Sequence, residues 1–341
     1  MRTERQGQFA GLGAAVLFGC SAPLVTTLTG SGSALSIAGL LCAGATLALL
    51  AVRLVRGTRA ETPIRREDWP ALAALTLLGG MVGPVALVQG LACLPAATSS
   101  LLLNFEAVFT LAIAVLLGRE HLGRRGLVSA LLTIIGAAVL SQGSLSGANA
   151  LGGALIALAT LAWGIDNNLS QRLSLRDPIQ IATAKAAGAS LPMLALALLL
   201  GHPFPPVKVT LALLALRDLE APREAVLFST APFVGTLFSV VVLREPLSTP
   251  LLIAAGLMAA GVVLLLLEQH SHPHRHESLR HAHRHRHDPH GGDPHHAHDH
   301  APEDQEGIAA DRPFWHAHEH RHREVEHAHS HVSDAHHRHN H

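Results

Sequence analysis

The feature that most constrains this chain is a series of long apolar stretches. A membrane-spanning helix needs about 20 mostly apolar residues. Nine such stretches are found, at residues 8–28, 33–52, 70–94, 96–117, 126–142, 151–170, 179–201, 222–243 and 249–268. Residues 207–216 are also apolar, but they are too few to cross a bilayer unaided. The sequence therefore predicts an all-α integral membrane protein, and the lipid bilayer is the first of its predicted partners.

Arginine placement predicts how the spans are oriented, because Lys and Arg are enriched in cytoplasmic loops. The loops around residues 29–32, 95 and 143–150 contain no Lys or Arg. The N-terminal segment and the alternate loops carry Arg2, Arg5, Arg53, Arg56, Arg59, Arg65, Arg66, Arg119, Arg124, Arg125, Arg172 and Arg176. We therefore expect a multi-pass protein of the inner (plasma) membrane with a cytoplasmic N-terminus. Ten spans would also return the C-terminal tail to the cytoplasm, whereas nine would leave it outside. Arg217 and Arg223, before the ninth of ten spans, favour a cytoplasmic tail.

The membrane part repeats itself. Leu117–Leu122 reads LGREHL and Val242–Leu247 reads VLREPL, an offset of 125 residues. Leu17-Phe-Gly matches Ala162-Trp-Gly at an offset of 145 residues, so the second half is shorter by 20. Five spans per half would invert the second repeat relative to the first, as in many secondary transporters. We therefore predict repeats at 1–142 and 151–268, the second shortened near 202–219 by a truncated eighth helix.

Two blocks carry a resemblance to a known family. They are residues 97–122, ATSSLLLNFEAVFTLAIAVLLGREHL, and residues 223–247, REAVLFSTAPFVGTLFSVVVLREPL. The chain resembles EamA-type members of the drug/metabolite transporter superfamily over about residues 8–268. The resemblance implies ten helices in two inverted five-helix repeats, and transport of small organic solutes, most often outward. One departure is Ala107, which stands where many relatives have a proline.

Ionisable residues at membrane depth are costly, so each is a candidate functional group. Glu106 lies midway along the fourth span, with Asn104 two positions earlier. Glu106 either faces a central cavity, where it binds a cation, a proton or a substrate amine, or is a structural group bonded to a neighbouring helix. Gln89 in the third span and Trp163 in the sixth are weaker candidates for that cavity.

A second polar group lies in the sixth and seventh spans. Asp166, Asn167 and Asn168 are in the sixth span, and Lys185 is in the seventh. The connecting loop centres near Leu175, about equally far from Asp166 and Lys185, so the two residues should lie at similar depth. We predict that they pair, because pairing removes two isolated charges from lipid. The pair is either structural or a direct substrate contact.

The C-terminal tail differs from the membrane part in amino-acid composition. Residues 269–341 hold 24 of the 26 histidines and almost no apolar residues, so we predict disorder. Neutral imidazole is a good ligand for Zn, Ni, Co and Cu ions. The candidate metal ligands are His281, His283, His285, His287, His295, His296, His298, His300, His316, His318, His320 and His322. The tail is alternatively a solvated segment without a metal role, or a pH-sensitive brush.

Three functions are open at this point. The leading hypothesis is a secondary transporter that exports a small organic metabolite or drug by alternating access. The second is efflux of Ni, Co or Zn, and the third is a membrane-anchored metal buffer or interaction module. No catalytic motif, basic nucleic-acid-binding domain or required cofactor is indicated, and the sequence predicts no oligomeric state.

Overall fold

A computed structural model of the chain describes residues 16–56, 63–118, 123–141, 147–173, 176–216, 230–267, 271–276, 280–287, 314–321 and 325–330. Every regular element described between residues 16 and 267 is a helix, which confirms the all-α membrane fold. Six of these helical segments are long and apolar enough to cross a membrane.

The helices follow the predicted spans closely. The first and second spans are α1 (Val16–Thr26) and α2 (Ala34–Arg56). The third span is α3 (Trp69–Leu75), a π-helical segment (Thr76–Val82) and α4 (Gly83–Leu91); the fourth is α5 (Ala96–Leu102) and α6 (Phe105–Gly118). The fifth to seventh spans are α7 (Arg124–Ser141), α8 (Gly147–Ser170) and α9 (Pro178–Leu199). The second repeat continues with α10 (Val207–Leu216), α11 (Ala231–Val241) and α12 (Thr249–Leu266).

Helices of equal rank in the two halves pack against each other: α2 on α9, α5 on α11, and α7 on α12. Glycines permit the close approach that membrane helices use. A Cβ added at Gly136 would meet Met258, and one added at Gly261 would meet the Ser129 carbonyl, so α7 and α12 run antiparallel. Antiparallel contact between equivalent helices is the arrangement expected of two inverted repeats.

Contacts between loops identify two opposite faces of the molecule, one poor in Lys and Arg and one rich in Arg. At the face poor in Lys and Arg, the Ser33 amide and the Ser36 hydroxyl donate to the Pro203 carbonyl over 3.0 and 2.9 Å. At the Arg-rich face, the Ile64 amide donates to Gln180 Oε1 over 3.1 Å. The last helix also ends at the Arg-rich face, because Arg125 Nη1 donates to the carbonyl of Leu267 over 2.5 Å.

The eighth span is short within the described residues. α10 has 10 residues, which at 1.5 Å per residue reach about 15 Å, against a hydrocarbon core of about 30 Å. It still joins the core: Leu213 is fully buried in a cluster with residues of α1, α2, α4 and α9. A Cβ at Gly44 would fall within 3 Å of the Leu214 backbone, so α10 packs directly on α2.

The tail contains four strands at positions where the sequence analysis predicts disorder. They are β1 (Ser271–His276), β2 (Arg280–His287), β3 (Phe314–Arg321) and β4 (Val325–Ser330). β1 pairs antiparallel with β4, and β2 pairs antiparallel with β3. The prediction of disorder for the tail stays a prediction, because most of residues 269–341 lie outside the described part of the chain.

Candidate functional site

Asp166 and Lys185 form the ion pair that the sequence predicts. Lys185 Nζ on α9 contacts Asp166 Oδ2 on α8, and the Asp166 residue is only 6% exposed. Counting residues from the turn between the two helices therefore gave the correct depth for both groups. The second carboxylate oxygen, Asp166 Oδ1, is buried and has no hydrogen-bond partner among the described residues.

The third span approaches this pair through its glycines. A Cβ added at Gly79 would lie 2.5 Å from Asp166 Oδ1, so no side chain fits there. Gly79 and Gly80 lie in the π-helical segment, and such segments are frequent at functional sites. Trp163 Nε1 donates to the Gly79 carbonyl over 3.1 Å, and a Cβ at Gly83 would meet the same indole. Trp163 is therefore a packing residue that holds the third span against α8.

Glu106 lies next to a break in the fourth span. α5 ends at Leu102 and α6 begins at Phe105, which places Glu106 in the first turn of α6. Glu106 is half-buried, and its Oε1 accepts a hydrogen bond from Asn167 Nδ2 over 2.9 Å. The same Asn167 nitrogen donates to Thr110 Oγ1 over 3.3 Å. Among the described residues, the Glu106 carboxylate thus has an amide hydrogen-bond partner rather than a cationic one.

These contacts form two sets on α8. Asn167 and Asn168 bind Glu106 and Thr110 of α6, and Asp166 binds Lys185 of α9. The two sets together are called here the polar cluster: Glu106, Thr110, Asp166, Asn167, Asn168 and Lys185. Asn168 binds backbone groups, donating from Nδ2 to the Thr110 and Gly164 carbonyls over 3.0 and 2.8 Å. With Gly79, the cluster joins four spans, the third, fourth, sixth and seventh. Its two carboxylates and one ammonium carry an excess of one negative charge when all three are ionised.

Two predicted site residues lie apart from the cluster. Asn104 is buried, and its Nδ2 donates to the Leu101 carbonyl over 2.9 Å and lies 3.9 Å from Met258 Sδ. Its amide therefore satisfies the backbone at the α5–α6 break. Gln89 is exposed on α4, and its side chain has no hydrogen-bond partner among the described residues. The sequence analysis grouped both residues with Glu106 because of their positions along the spans. In the structure they lie on helix faces other than those that carry the cluster residues.

Sequence reasoning missed the role of the glycines in the third span. The stretch LLGGMVG carries three glycines in seven residues of an otherwise apolar span. Small residues in a membrane helix indicate a close helix contact, and this signal could have identified the third span as the neighbour of Asp166. The π-helical geometry had no comparable signal in the sequence.

Glu245 and Asp68 connect the two repeats at opposite faces. At the face poor in Lys and Arg, the Glu245 carboxylate accepts from the Ala96 and Ala97 amides, each over 2.8 Å, and so caps the N-terminus of α5. Arg244, just before it, has a φ of 59°, an unfavourable value for a side-chain-bearing residue. At the Arg-rich face, Arg176 Nε donates to Asp68 Oδ2 over 2.7 Å. Glu245 thus fixes the position of the α5 N-terminus, and Glu120, at the equivalent place in the LGREHL motif of the first repeat, lies outside the described residues.

The predicted metal ligands divide into two sets. His281, His283, His285, His287, His316, His318 and His320 lie in β2 and β3, whereas His295, His296, His298, His300 and His322 lie outside the described residues. Among the residues searched in the described part of the chain, no three His, Cys, Asp or Glu side chains form a group that could hold a metal ion.

Comparisons with known proteins give the family context. Residues 5–142 match the EamA-like transporter family. An uncharacterized transporter of Methanothermobacter thermautotrophicus is 28% identical over 233 residues, which cover 62% of this chain and 68% of that protein. An uncharacterized transporter of Archaeoglobus fulgidus is 25% identical over 244 residues, covering 64% of this chain and 83% of that protein. A solved crystal structure, 22% identical, superposes with a TM-score of 0.58 over 77% of this chain and 97% of its own, which supports the fold.

Proposed function

Since the chain carries an EamA-like transporter family domain, we propose that it is a secondary transporter that exports a small organic metabolite or drug by alternating access. The observation that carries the proposal is the polar cluster, which brings polar side chains of the fourth, sixth and seventh spans together away from both faces. Transporters commonly place substrate sites near the bilayer midplane, where the two repeats meet. Glu106 comes from the first repeat and Asp166, Asn167 and Lys185 from the second, as that arrangement requires.

Within this proposal, Glu106 binds the solute or the coupling ion. Its carboxylate is half-buried and accepts a hydrogen bond from the exposed amide of Asn167, so a ligand can reach both. The Asp166–Lys185 pair is more deeply buried and packs on Gly79, which supports a structural role beside the site. The proposed site does not include Asn104 or Gln89, because neither side chain contacts its residues.

The proposed topology has ten spans with both ends of the membrane part in the cytoplasm. Leu267 follows the last helix and lies beside Arg125, in the first turn of α7, at the Arg-rich face that the distribution of positive charge assigns to the cytoplasm. The His-rich tail therefore begins on the cytoplasmic side of an inner membrane.

Transport by the purified chain in liposomes tests the proposal. Labelled amino acids, other small metabolites and cationic drugs are supplied in turn, and uptake is measured with wild type, Glu106→Gln and Gln89→Ala. We expect at least one organic solute to be transported by wild type and by Gln89→Ala, but not by Glu106→Gln. Gln89→Ala is the matched control, because it removes an exposed membrane amide outside the polar cluster.

The alternative functions make different predictions in the same liposomes. Movement of Ni, Co or Zn ions without movement of any organic solute would replace the proposal with metal efflux. Movement of neither class by a correctly folded protein would favour a membrane-anchored module, in which the short eighth span leaves no transport cycle.

A further inference from the structure

The seventh span, α9, is attached to the first repeat at both of its ends. At the Arg-rich face, Arg176 lies just before α9, and its Nε donates to Asp68 Oδ2 over 2.7 Å. At the opposite face, the carbonyl of Pro203, just after α9, accepts from the Ser33 amide and the Ser36 hydroxyl over 3.0 and 2.9 Å. These attachments are called here the Arg-face latch (Asp68 and Arg176) and the opposite-face latch (Ser33, Ser36 and Pro203).

The two latches are equivalent positions of the inverted repeat. Ser33 and Ser36 lie where the first span connects to the second, and Pro203 lies where the seventh connects to the eighth. Asp68 lies where the second span connects to the third, and Arg176 where the sixth connects to the seventh. Exchange of the two repeats therefore exchanges the two latches. When one repeat rocks against the other, such a pair of contacts opens at one face while the other face is closed.

Between its two ends, α9 packs on the third span through small residues. A Cβ added at Gly80 would lie 2.8 Å from the Ala189 side chain, and one added at Gly188 would lie 3.2 Å from Thr76. Lys185 of the polar cluster is on the same helix, one turn before Gly188. Small residues let helix backbones approach closely without long side chains between them. A tilt of α9 about this contact separates one end from the first repeat without separating the other.

The two latches differ in chemistry. The Arg-face latch is a buried ion pair, in which the Arg176 and Asp68 side chains are 14% and 9% exposed. Arg176 Nη2 also donates to Asp68 Oδ1 over 3.2 Å, so the pair is bidentate, and the Arg65 amide donates to Asp68 Oδ2 over 2.7 Å. Hydrogen bonds between ionised groups are about twice as strong as neutral ones. The opposite-face latch uses neutral groups only, so the Arg-face latch is the stronger of the two.

We propose that the Asp68–Arg176 pair is a gate: it holds the transport pathway closed at the Arg-rich face and must break before the polar cluster opens to that side. The inference rests on the proposed transport function and adds the residues that control which face is open. Arg176 lies in the loop between α8 and α9, ten residues after Asp166 and nine before Lys185, so movement of this loop displaces both helices of the cluster. Loss of a contact that only the closed state makes shifts the population toward the open state.

Cysteine labelling from each side of the membrane tests the gate. The reporter is Asn167→Cys, an exposed position in the polar cluster, in a full-length chain whose own cysteines are replaced by alanine. A membrane-impermeant maleimide is applied separately to each face of the reconstituted chain, and the labelling rate is measured. We expect Asp68→Asn to raise the rate from the Arg-rich face by at least about fivefold, the lower end of typical couplings between two states, and to lower it from the opposite face.

Glu67→Gln is the matched control, because Glu67 contacts the same arginine from an exposed position. Arg176 Nη2 lies 3.0 Å from Glu67 Oε1, but the Glu67 side chain is 66% exposed, and exposed ion pairs contribute little. We expect labelling as in the reporter chain from both faces. Arg176→Lys is the second test variant: it keeps the positive charge, loses the bidentate geometry and should shift labelling in the same direction as Asp68→Asn. It also provides the test if Asp68→Asn does not fold.

The results that would overturn the gate are distinct from those that would overturn the proposed function. Labelling by Asp68→Asn and Arg176→Lys that equals labelling by Glu67→Gln would leave the ion pair as a structural contact. A rate that rises equally from both faces would do the same, because it indicates general loosening of the helices. Labelling needs no transported solute, so failure of the gate leaves the transport assay unaffected, and failure of the proposed function is seen only in that assay.

Discussion

Glu106 and Asp166 are two carboxylates at membrane depth in neighbouring helices, and the structure gives them opposite surroundings. Asp166 is 6% exposed, contacts the Lys185 ammonium and packs on a glycine. Glu106 is half-buried, and Asn167 donates to it from an exposed position. A charge with a buried counter-ion stabilises one helix arrangement, whereas a charge held by an amide stays available to a ligand. Under the proposed function, Asp166 stabilises the fold and Glu106 serves transport.

The largest expected effect comes from breaking the buried pair. Asp166→Leu leaves the Lys185 ammonium without its counter-ion, and loss of one partner of a buried pair costs about 3–5 kcal/mol. We expect a large loss of folded protein, measured by thermal unfolding of the detergent-solubilised chain. Asp166→Leu/Lys185→Met removes both charges and should recover most of that loss. A double variant no more stable than the single one would show that the ion pair is not the source of the effect.

Gly79→Ala should produce the next largest effect on stability. The substitution changes no charge, but the added methyl group would collide with the Asp166 carboxylate. The added Cβ would lie 2.5 Å from Asp166 Oδ1, so either the Asp166 carboxylate or the third span must shift. Overpacking of this kind costs about 1–3 kcal/mol. Gly153→Ala is the control, since a Cβ there meets nothing within 4 Å. Similar thermal stability of the two variants would argue against close packing at Gly79.

The contrast also shows what sequence can and cannot predict in this protein. The spans and the Asp166–Lys185 pair follow from local rules, namely apolar length and equal distance from a helical turn. The contact of Gly79 with Asp166 and the capping of Ala96 by Glu245 join segments far apart in the chain, and no local pattern fixes them.

Removal of the hydrogen-bond donor to Glu106 should have a smaller effect on stability. Asn167→Ala removes the 2.9 Å bond to Glu106 Oε1 and the longer one to Thr110. One hydrogen bond contributes about 1 kcal/mol net, and the exposed position lets water replace the amide. We therefore expect a decrease of about 1 kcal/mol or less in the free energy of unfolding, together with an altered KM for the transported solute. An unchanged KM would place Asn167 outside the solute site.

The smallest effect on stability, and the most informative, is expected for Glu106→Gln. The glutamine side chain keeps an oxygen that can accept from Asn167 Nδ2, so the cross-helix hydrogen bond between α6 and α8 survives. Stability should change by less than about 1 kcal/mol, the net contribution of one hydrogen bond. Transport should nevertheless be lost, because the neutral amide cannot bind a cation or exchange a proton. Normal transport by Glu106→Gln would assign Glu106 to the structural class of Asp166, and a stability loss as large as that of Asp166→Leu would do the same.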